Sequence, residues 1–386
     1  MRIMHTSDWH LGKTIHGQDL LGDQRFVLDR IAEEVENGYD GLIISGDIYD
    51  RSVPPSEAVE LLGQFLERMS SSEIEAVLIP GNHDSPTRLS FASGVLDRGG
   101  IHLRCSMRSA LEPVIMSDGE GGELHVYGLP FVEESQVKID YPGNGVRTHE
   151  EAVRFMVSEI RRKRIEGVRS ILVAHEYTGG NVIKSDSERE LLLGNQGRVD
   201  PSVFQGFDYV ALGHLHRPQC ASIAANAFYA GSIMPYSFSE ADHVKSVTSL
   251  EFGREGLKRD EIPINLRRDF NVIEGRFDDI LYSDAYEGLR DDYVSVRLLD
   301  EAPLMNIQSR LKNRFPFLLE IVQRALSFDE EVESSRIRAA LDHPRDLFTL
   351  FLDSFGWDDP EKRSRAMDLF DSVRRETEKE RREVKG

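Results

Sequence analysis

With 386 residues, 40% hydrophobic and 30% charged, the chain is long for a single core and ordinary for a globular protein, so two or more domains are expected. Its formal net charge of −20 excludes nucleic-acid binding by a simple basic surface, because neutralising phosphates takes clustered Lys and Arg; a phosphate-bearing substrate needs bound cations, a local patch or a partner. Two distant cysteines, Cys105 and Cys220, exclude a disulfide framework or thiolate zinc site, and with neither a signal-peptide pattern nor an apolar run near the ~18 residues of a membrane span, a reducing cytoplasm and no membrane are expected.

In chain order, Arg2 to Thr6 reads as a strand running into SDWHLG, where Asp8 and His10 sit two apart. Asp23 is expected to cap a helix whose apolar Val27, Ile31 and Val35 recur at i, i+4 and i+8, ending at Gly38. A second strand, Gly41 to Ile44, leads into GDIYD. Pro54, Pro55 and Ser56 then start a helix with Leu61, Leu62, Phe65, Leu66 and Met69 inward, and Ala76 to Ile79 is a third strand delivering GNHD. Each ligand-rich loop follows a buried strand, the arrangement in which an α/β sheet offers its carboxyl-end loops as a site.

Val114 to Met116 and Leu124 to Tyr127, around a turn at Asp118 to Gly122, read as strands of a second sheet. A helix is expected from Thr148 to Glu166, with Thr148, Glu150 and Glu151 favouring its start and RRKR its last turn. Ser170 to Ala174 and Tyr209 to Leu212 are strands carrying His175 and His214, separated by the long polar stretch SDSERELLLGNQGRVD. LKRDEIPINLRRD, near 257 to 269, reads as a charged connector to a small α/β unit at about 270 to 330, with strands Tyr293 to Leu299 and Phe317 to Val322 around a helix near Leu304 to Phe315. The C-terminal region, 340 to 386, reads as two amphipathic helices. Leu347, Phe348, Phe351 and Phe355 stripe the first; Ala366, Leu369, Phe370 and Val373 stripe the second, which Asp359 caps and Pro360 opens. They dock either on their own chain or on a partner.

A pair of divalent ions needs oxygen and imidazole ligands, one bridging carboxylate and a spacing of about 3.5–4 Å. The five loops supply that set: Asp8 and His10 for one ion, Asp47 as the natural bridge, and Asn82, His175, His214 and His216 for the rest. The glycines at 46, 81 and 213 precede ligands, where close backbone approach makes a missing Cβ useful. Taken singly, each Asp is a cap or turn former and each His a structural residue; the ordered series at strand ends is what points to a metal. His5, His16, His102, His125, His149, His243 and His343 lack that context and read as structural or surface residues. LGKT at 11 to 14 imitates the tail of a P-loop, but Ser7 stands where its first glycine belongs, so ATP is not expected to bind.

The series DWH, GDIYD, GNHD, AHE, GHLH resembles the calcineurin-like metallophosphoesterases, and SDWHLGK, GDIYDRSVPP, GNHDSPTRL, SDSER and GHLHRPQ look closely like the bacterial SbcD family of DNA nuclease subunits. The resemblance implies an α/β (α+β) two-sheet sandwich flanked by helices over 1–265, a small capping, DNA-binding domain at 270–330 and partner-binding C-terminal helices. It implies Asp8, His10, Asp47 and His216 around one metal and Asp47, Asn82, His175 and His214 around the second, with Mn2+ preferred and Mg2+ the alternative. His83 would be proton donor or transition-state stabiliser, oriented by Asp84; Asp50 is left outside the site. The implied activity is DNA cleavage beside an SbcC-like coiled-coil ATPase, in a homodimer within a heterotetramer. A small-substrate phosphodiesterase and a non-catalytic scaffold are the alternatives, and the scaffold would have lost ligands that are all present here.

Overall fold

A computed structural model describes residues 1–117, 122–179, 182–188, 197–254, 256–300, 304–323, 345, 348–349, 352 and 360–383. Strand β1 (Arg2–Thr6) leads through a small hairpin, β2 (Thr14–Ile15) and β3 (Gln18–Asp19), to α1 (Leu21–Glu36), β4 (Gly41–Ser45), α2 (Ser56–Ser71) and β5 (Glu75–Ile79). Short helices α3 (Pro86–Leu89) and α4 (Ser93–Leu96) precede β6 (Ile101–Leu103). Next come β7 (Val114–Ser117), β8 (Glu123–Leu129), α5 (Glu134–Asp140), α6 (His149–Lys163), β9 (Arg169–His175), β10 (Tyr209–Gly213), β11 (Gln219–Ser222) and β12 (Ala227–Tyr229). The rest comprises β13 (Ser246–Gly253), β14 (Gly256–Pro263), β15 (Phe270–Gly275), α7 (Phe277–Tyr282), β16 (Tyr293–Leu298), α8 (Ile307–Arg314), β17 (Leu318–Gln323) and α9 (Pro360–Glu383).

Two six-stranded sheets pack face to face, in the orders β14-β13-β1-β4-β5-β6 and β11-β12-β10-β9-β8-β7. Period-two alternation assigns each side chain a layer. Ile3, Ile43, Val77 and Ile79 meet Val126, Ile171, Val173 and Ala211 between the sheets. Met4, Leu42, Ile44 and Leu78 point outward under α1 and α2, while Leu172, Ala174, Val210 and Leu212 are covered by α6. The strands β1, β4 and β5 run parallel, as do β9 and β10, so their carboxyl-end loops gather by sheet.

The expected cap at Asp23 is corrected: Asp23 lies in the first turn of α1, and Asp19 accepts the Leu21 N–H at 2.8 Å. Asp23 is buried and instead accepts from Tyr293 Oη (2.5 Å) and Arg268 (2.9 Å), fastening the three-stranded sheet β15-β16-β17 beside α1, where Phe270 and Tyr293 join the outer core. The charged connector is also corrected. Residues 256–263 form β14, an edge strand antiparallel to β13, whose Lys258, Asp260 and Glu261 face water as edge protection while Arg259 lies over the Phe228 ring at 4.2 Å. Thr148 caps α6 in a full capping box with Glu151, as its sequence suggests.

The chain divides into two compact units, Met1–Arg297 with Asn306–Val322, and Leu298–Met305 with Gln323–Gly386. In the second, Phe348 stacks on Phe370 of α9 at 4.4 Å and Arg345 pairs with Asp371 at 3.2 Å. Most of the expected turn at Asp118 to Gly122, Leu347, Phe351, Phe355, the cap Asp359, His343 and 189–196 of the polar stretch lie outside the described residues.

Candidate metal centre

The loops after β1 and β4 are zipped together by the main chain: Asp8 N–H donates to Gly46 O (3.1 Å), His10 to Asp47 O (2.9 Å) and Leu11 to Ile48 O (2.9 Å). This turns the ligands inward at a cost. Asp8, His10, Asp47 and His214 have φ of +53°, +44°, +47° and +110°, a region non-glycine residues enter at about 1–3 kcal/mol each. Close approach also demands glycine: a Cβ on Gly81 would lie 2.2 Å from Asp47 Oδ1, and one on Gly213 1.9 Å from Ser45 O.

All seven expected ligands meet. Asp8, His10 and His216 offer ligand atoms within 4.8 Å of one another, as do Asp8, Asp47 and His175. His10 Nε2 lies 3.1 Å from His216 Nε2 and 3.7 Å from Asp47 Oδ2. His175 Nε2 is 3.3 Å from Asp47 Oδ2 and 3.0 Å from Asn82 Oδ1, and His214 Nδ1 is 3.3 Å from the same amide oxygen. Asp47 thus stands between the two groups.

The donor set fits divalent cations. Two ring nitrogens face each other at 3.1 Å, and Asp8 and Asp47 are buried beside them. Burial pushes the Asp8 carboxyl up; burial opposes charge on His175 too, yet Asp47 and Asp8 lift its imidazole to about 10. The carboxylates therefore draw positive charge into a space where water is excluded, which a metal held by carboxylate, imidazole and amide oxygen supplies.

Outer contacts fix which ring nitrogen faces the centre. His175 donates Nδ1–H to Ser45 O (2.8 Å), freeing Nε2. Nδ1 of His216 faces Glu240 Oε1 (3.1 Å) and Ser187 Oγ (2.8 Å). Glu240 is itself paired, at 2.5 Å, with the buried ammonium of Lys245, which also donates to Ser232 Oγ (2.8 Å) and His216 O (3.0 Å). Burial opposes the Glu240 charge, but His216 and Lys245 hold it far below the usual carboxylate range.

His83 donates Nδ1–H to Asp50 O (2.8 Å) and turns Nε2 inward, 4.0 Å from Asp47 Oδ2. The expected contact from Asp84 to this ring is corrected. Among the described residues the Asp84 carboxylate accepts from the main-chain N–H of Ile48 (3.0 Å), Tyr49 (2.9 Å) and Gly81 (2.9 Å), stapling the second and third ligand loops together. Burial and the Asp47 charge push it up to about 7 against those donors.

Sequence reasoning left out Asp50, Glu188, Glu240 and Lys245. Asp50 joins His10 and His83 in a further cluster, its Oδ1 3.8 Å from His10 Nδ1 and 2.8 Å from Lys13 Nζ. Lys13, the lysine of the false P-loop, thus pairs with a carboxylate, and a hairpin rather than a helix follows it. Glu188 accepts the His216 N–H at 2.8 Å. The second Asp of GDIYD and the acidic SDSE offered a signal; nothing in SFSEADHVK announces a buried Glu–Lys pair.

A candidate metal centre at the carboxyl ends of strands in a two-sheet α/β sandwich fits a metallophosphoesterase. Residues 1–218 match the calcineurin-like phosphoesterase family, and residues 266–354 match the family described as type 5 capsule protein repressor C-terminal domain. The SbcD subunit of nuclease SbcCD from Staphylococcus saprophyticus is 30% identical over 340 residues, 87% of this chain and 88% of that protein. The chain therefore belongs to the calcineurin-like phosphoesterases, in the family of SbcD nuclease subunits, and is a metal-dependent hydrolase of phosphodiester bonds. Among solved structures, TT1561 of Thermus thermophilus is similar at 13% identity and TM-score 0.40 over 67% of this chain and 98% of its own. A novel archaeal phosphodiesterase is similar at 8% identity and TM-score 0.27 over 68% and 100%. No helix among the described residues is long and apolar enough to cross a membrane.

Proposed function

We propose that this chain is the nuclease subunit of an SbcCD-like complex, a manganese-dependent endo- and exonuclease acting at DNA double-strand ends and hairpins in repair, replication and recombination. The observation that carries the reading is the meeting of Asp8, His10, Asp47, Asn82, His175, His214 and His216 from five loops, with His83 Nε2 turned toward Asp47. Asp8, His10, Asp47 and His216 would hold one ion and Asp47, Asn82, His175 and His214 the other. When bound, the ions supply an activated water and offset phosphate charge.

The remaining roles belong to the protein. His83, its Nδ1–H anchored on Asp50 O, presents Nε2 to the scissile phosphate, where a proton can be given to the leaving oxygen or charge stabilised on the phosphoryl group. Asp84 acts through the loops that it staples. We assign 1–265 to the nuclease domain, 270–330 to a capping, DNA-binding domain and 340–386 to attachment of a coiled-coil ATPase.

The net charge of −20 supports a partner that supplies much of the grip on DNA, and α9 exposes Leu369 and Val373. Exposed Phe91 and Val95 support a homodimer within a heterotetramer. Cytoplasmic residence is supported by two free cysteines. The test is cleavage of linear duplex DNA by the chain with its ATPase partner in Mn2+. Activity should vanish with chelator, return with Mn2+, and fall about 10²–10⁴-fold in His83→Ala. Hydrolysis of small phosphodiesters with intact DNA would contradict the nuclease assignment.

A further inference from the structure

A cavity of about 540 Å³ opens beside the third ligand loop. Gly81, Asn82 and Asp84 form one side of it, so its occupant lies against the metal centre. The other sides come from the α3–α4 segment, the β6–β7 connection, the β8–α5 loop and α5 from Gln136 to Asp140. Phe131, Leu103 and Met107 supply apolar surface; Ser90, Ser109 and Gln136 supply hydroxyls and an amide. Phe131 is held in place, its N–H donating to Pro80 O at 3.1 Å and its ring 5.6 Å from that of His149.

The charge of the lining decides what fits. Besides Asp84 it carries Glu133 and Asp140, and among the described residues no Lys or Arg. Such a cavity repels phosphate, so a nucleic-acid backbone cannot run through it. Yet a phosphodiester at the adjoining centre carries a sugar and base on either side. The part of a nucleotide that suits a cation-free, half-apolar cavity with hydroxyl and amide edges is the base, and the volume lies within the range of small-molecule sites, about 300–1,000 Å³.

We infer that this cavity receives the unpaired base of a nucleotide adjoining the scissile phosphate, with Phe131 as its apolar platform. The inference rests on the nuclease reading above. Every base has a π-face, and the lining offers both donors and acceptors, so the site tolerates all four bases. It requires the base to leave its stack, so frayed or single-stranded positions are cut in preference to fully paired ones.

The test is a cycle of substrate against protein, using the chain with its ATPase partner in Mn2+. Single-stranded oligonucleotides carry one abasic nucleotide, placed in turn on each side of a mapped cleavage position. Removing the base on one side should lower cleavage at that bond about tenfold, in line with the worth of one base–aromatic contact. Phe131→Ala should lower cleavage of the intact strand similarly, and the two losses should not add when combined. Ser109→Trp, which fills the cavity, should reproduce the loss if Phe131→Ala folds poorly. Additive losses, or no penalty for an abasic nucleotide on either side, would overturn the base site. Failure of the wild-type protein to cut any strand would overturn the nuclease reading, and the base site with it.

Discussion

At the scale of residues, the centre depends on groups that touch no metal. Gly81 has no room for a methyl group, since a Cβ there meets Asp47 Oδ1 at 2.2 Å. Gly81→Ala should therefore displace the bridging carboxylate and lower the rate about 10²-fold, the usual consequence of misplacing a reacting group by an ångström, with the chain still folded by circular dichroism. Lys245 and Glu240 form a buried ion pair behind His216. Lys245→Met takes away the buried ammonium and leaves Glu240 its contact with the His216 ring, and should cost about 3–5 kcal/mol in a denaturant titration. Glu240→Gln should weaken Mn2+ binding about 10–100-fold at one of the two sites by calorimetry, because the His216 ring loses its charged acceptor. Equal weakening at both sites would show that the pair acts on the fold rather than on His216. The residues proposed as metal ligands stand out in the sequence, because each sits in a short motif at a strand end. Their support does not. Glu240 and Lys245 lie in a polar run that reads as surface, and Asp84 binds main-chain groups that no side-chain pattern displays.

At the scale of elements, the sandwich follows from strand patterning, and β1, β4, β5, β9 and β10 fall where apolar runs place them. What the sequence hid were elements whose burial comes from neighbours. Strand β14 alternates charges at a sheet edge and so resembles a linker, and Asp23 resembles a cap because its partners, Arg268 and Tyr293, lie 245 and 270 residues away. Left-handed backbone at Asp8, His10, Asp47 and His214 is likewise set by loop-to-loop hydrogen bonds rather than by residue type. A pH dependence belongs to this scale. His149 opens α6 and meets the buried Glu176, next after β9, at 2.7 Å. Burial opposes charge on the ring, but Glu176 raises its pKa above the ordinary 6.5. A pKa raised by folding gives stability fully present below the unfolded value and lost as pH rises through the folded one. The gap in Tm between wild type and His149→Gln should thus be widest near pH 6 and shrink above neutrality; a constant gap would show that the ring stays neutral.

At the scale of the whole molecule, a chain of net charge −20 that cleaves phosphodiesters must concentrate positive charge where the substrate binds. On the proposed reading, the buried carboxylates of the centre would do so by holding cations, and the proposed ATPase partner would supply the rest. Both sheets contribute: β1, β4 and β5 present four of the proposed ligands and β9 and β10 three, so the face-to-face packing itself brings the two groups together. The most direct measurement is anomalous scattering at the manganese edge from crystals grown with Mn2+. The expected result is two peaks about 3.5–4 Å apart, one among Asp8, His10 and His216, the other among Asn82, His175 and His214, with Asp47 between them. A single peak, or none at these side chains, would contradict a two-metal nuclease.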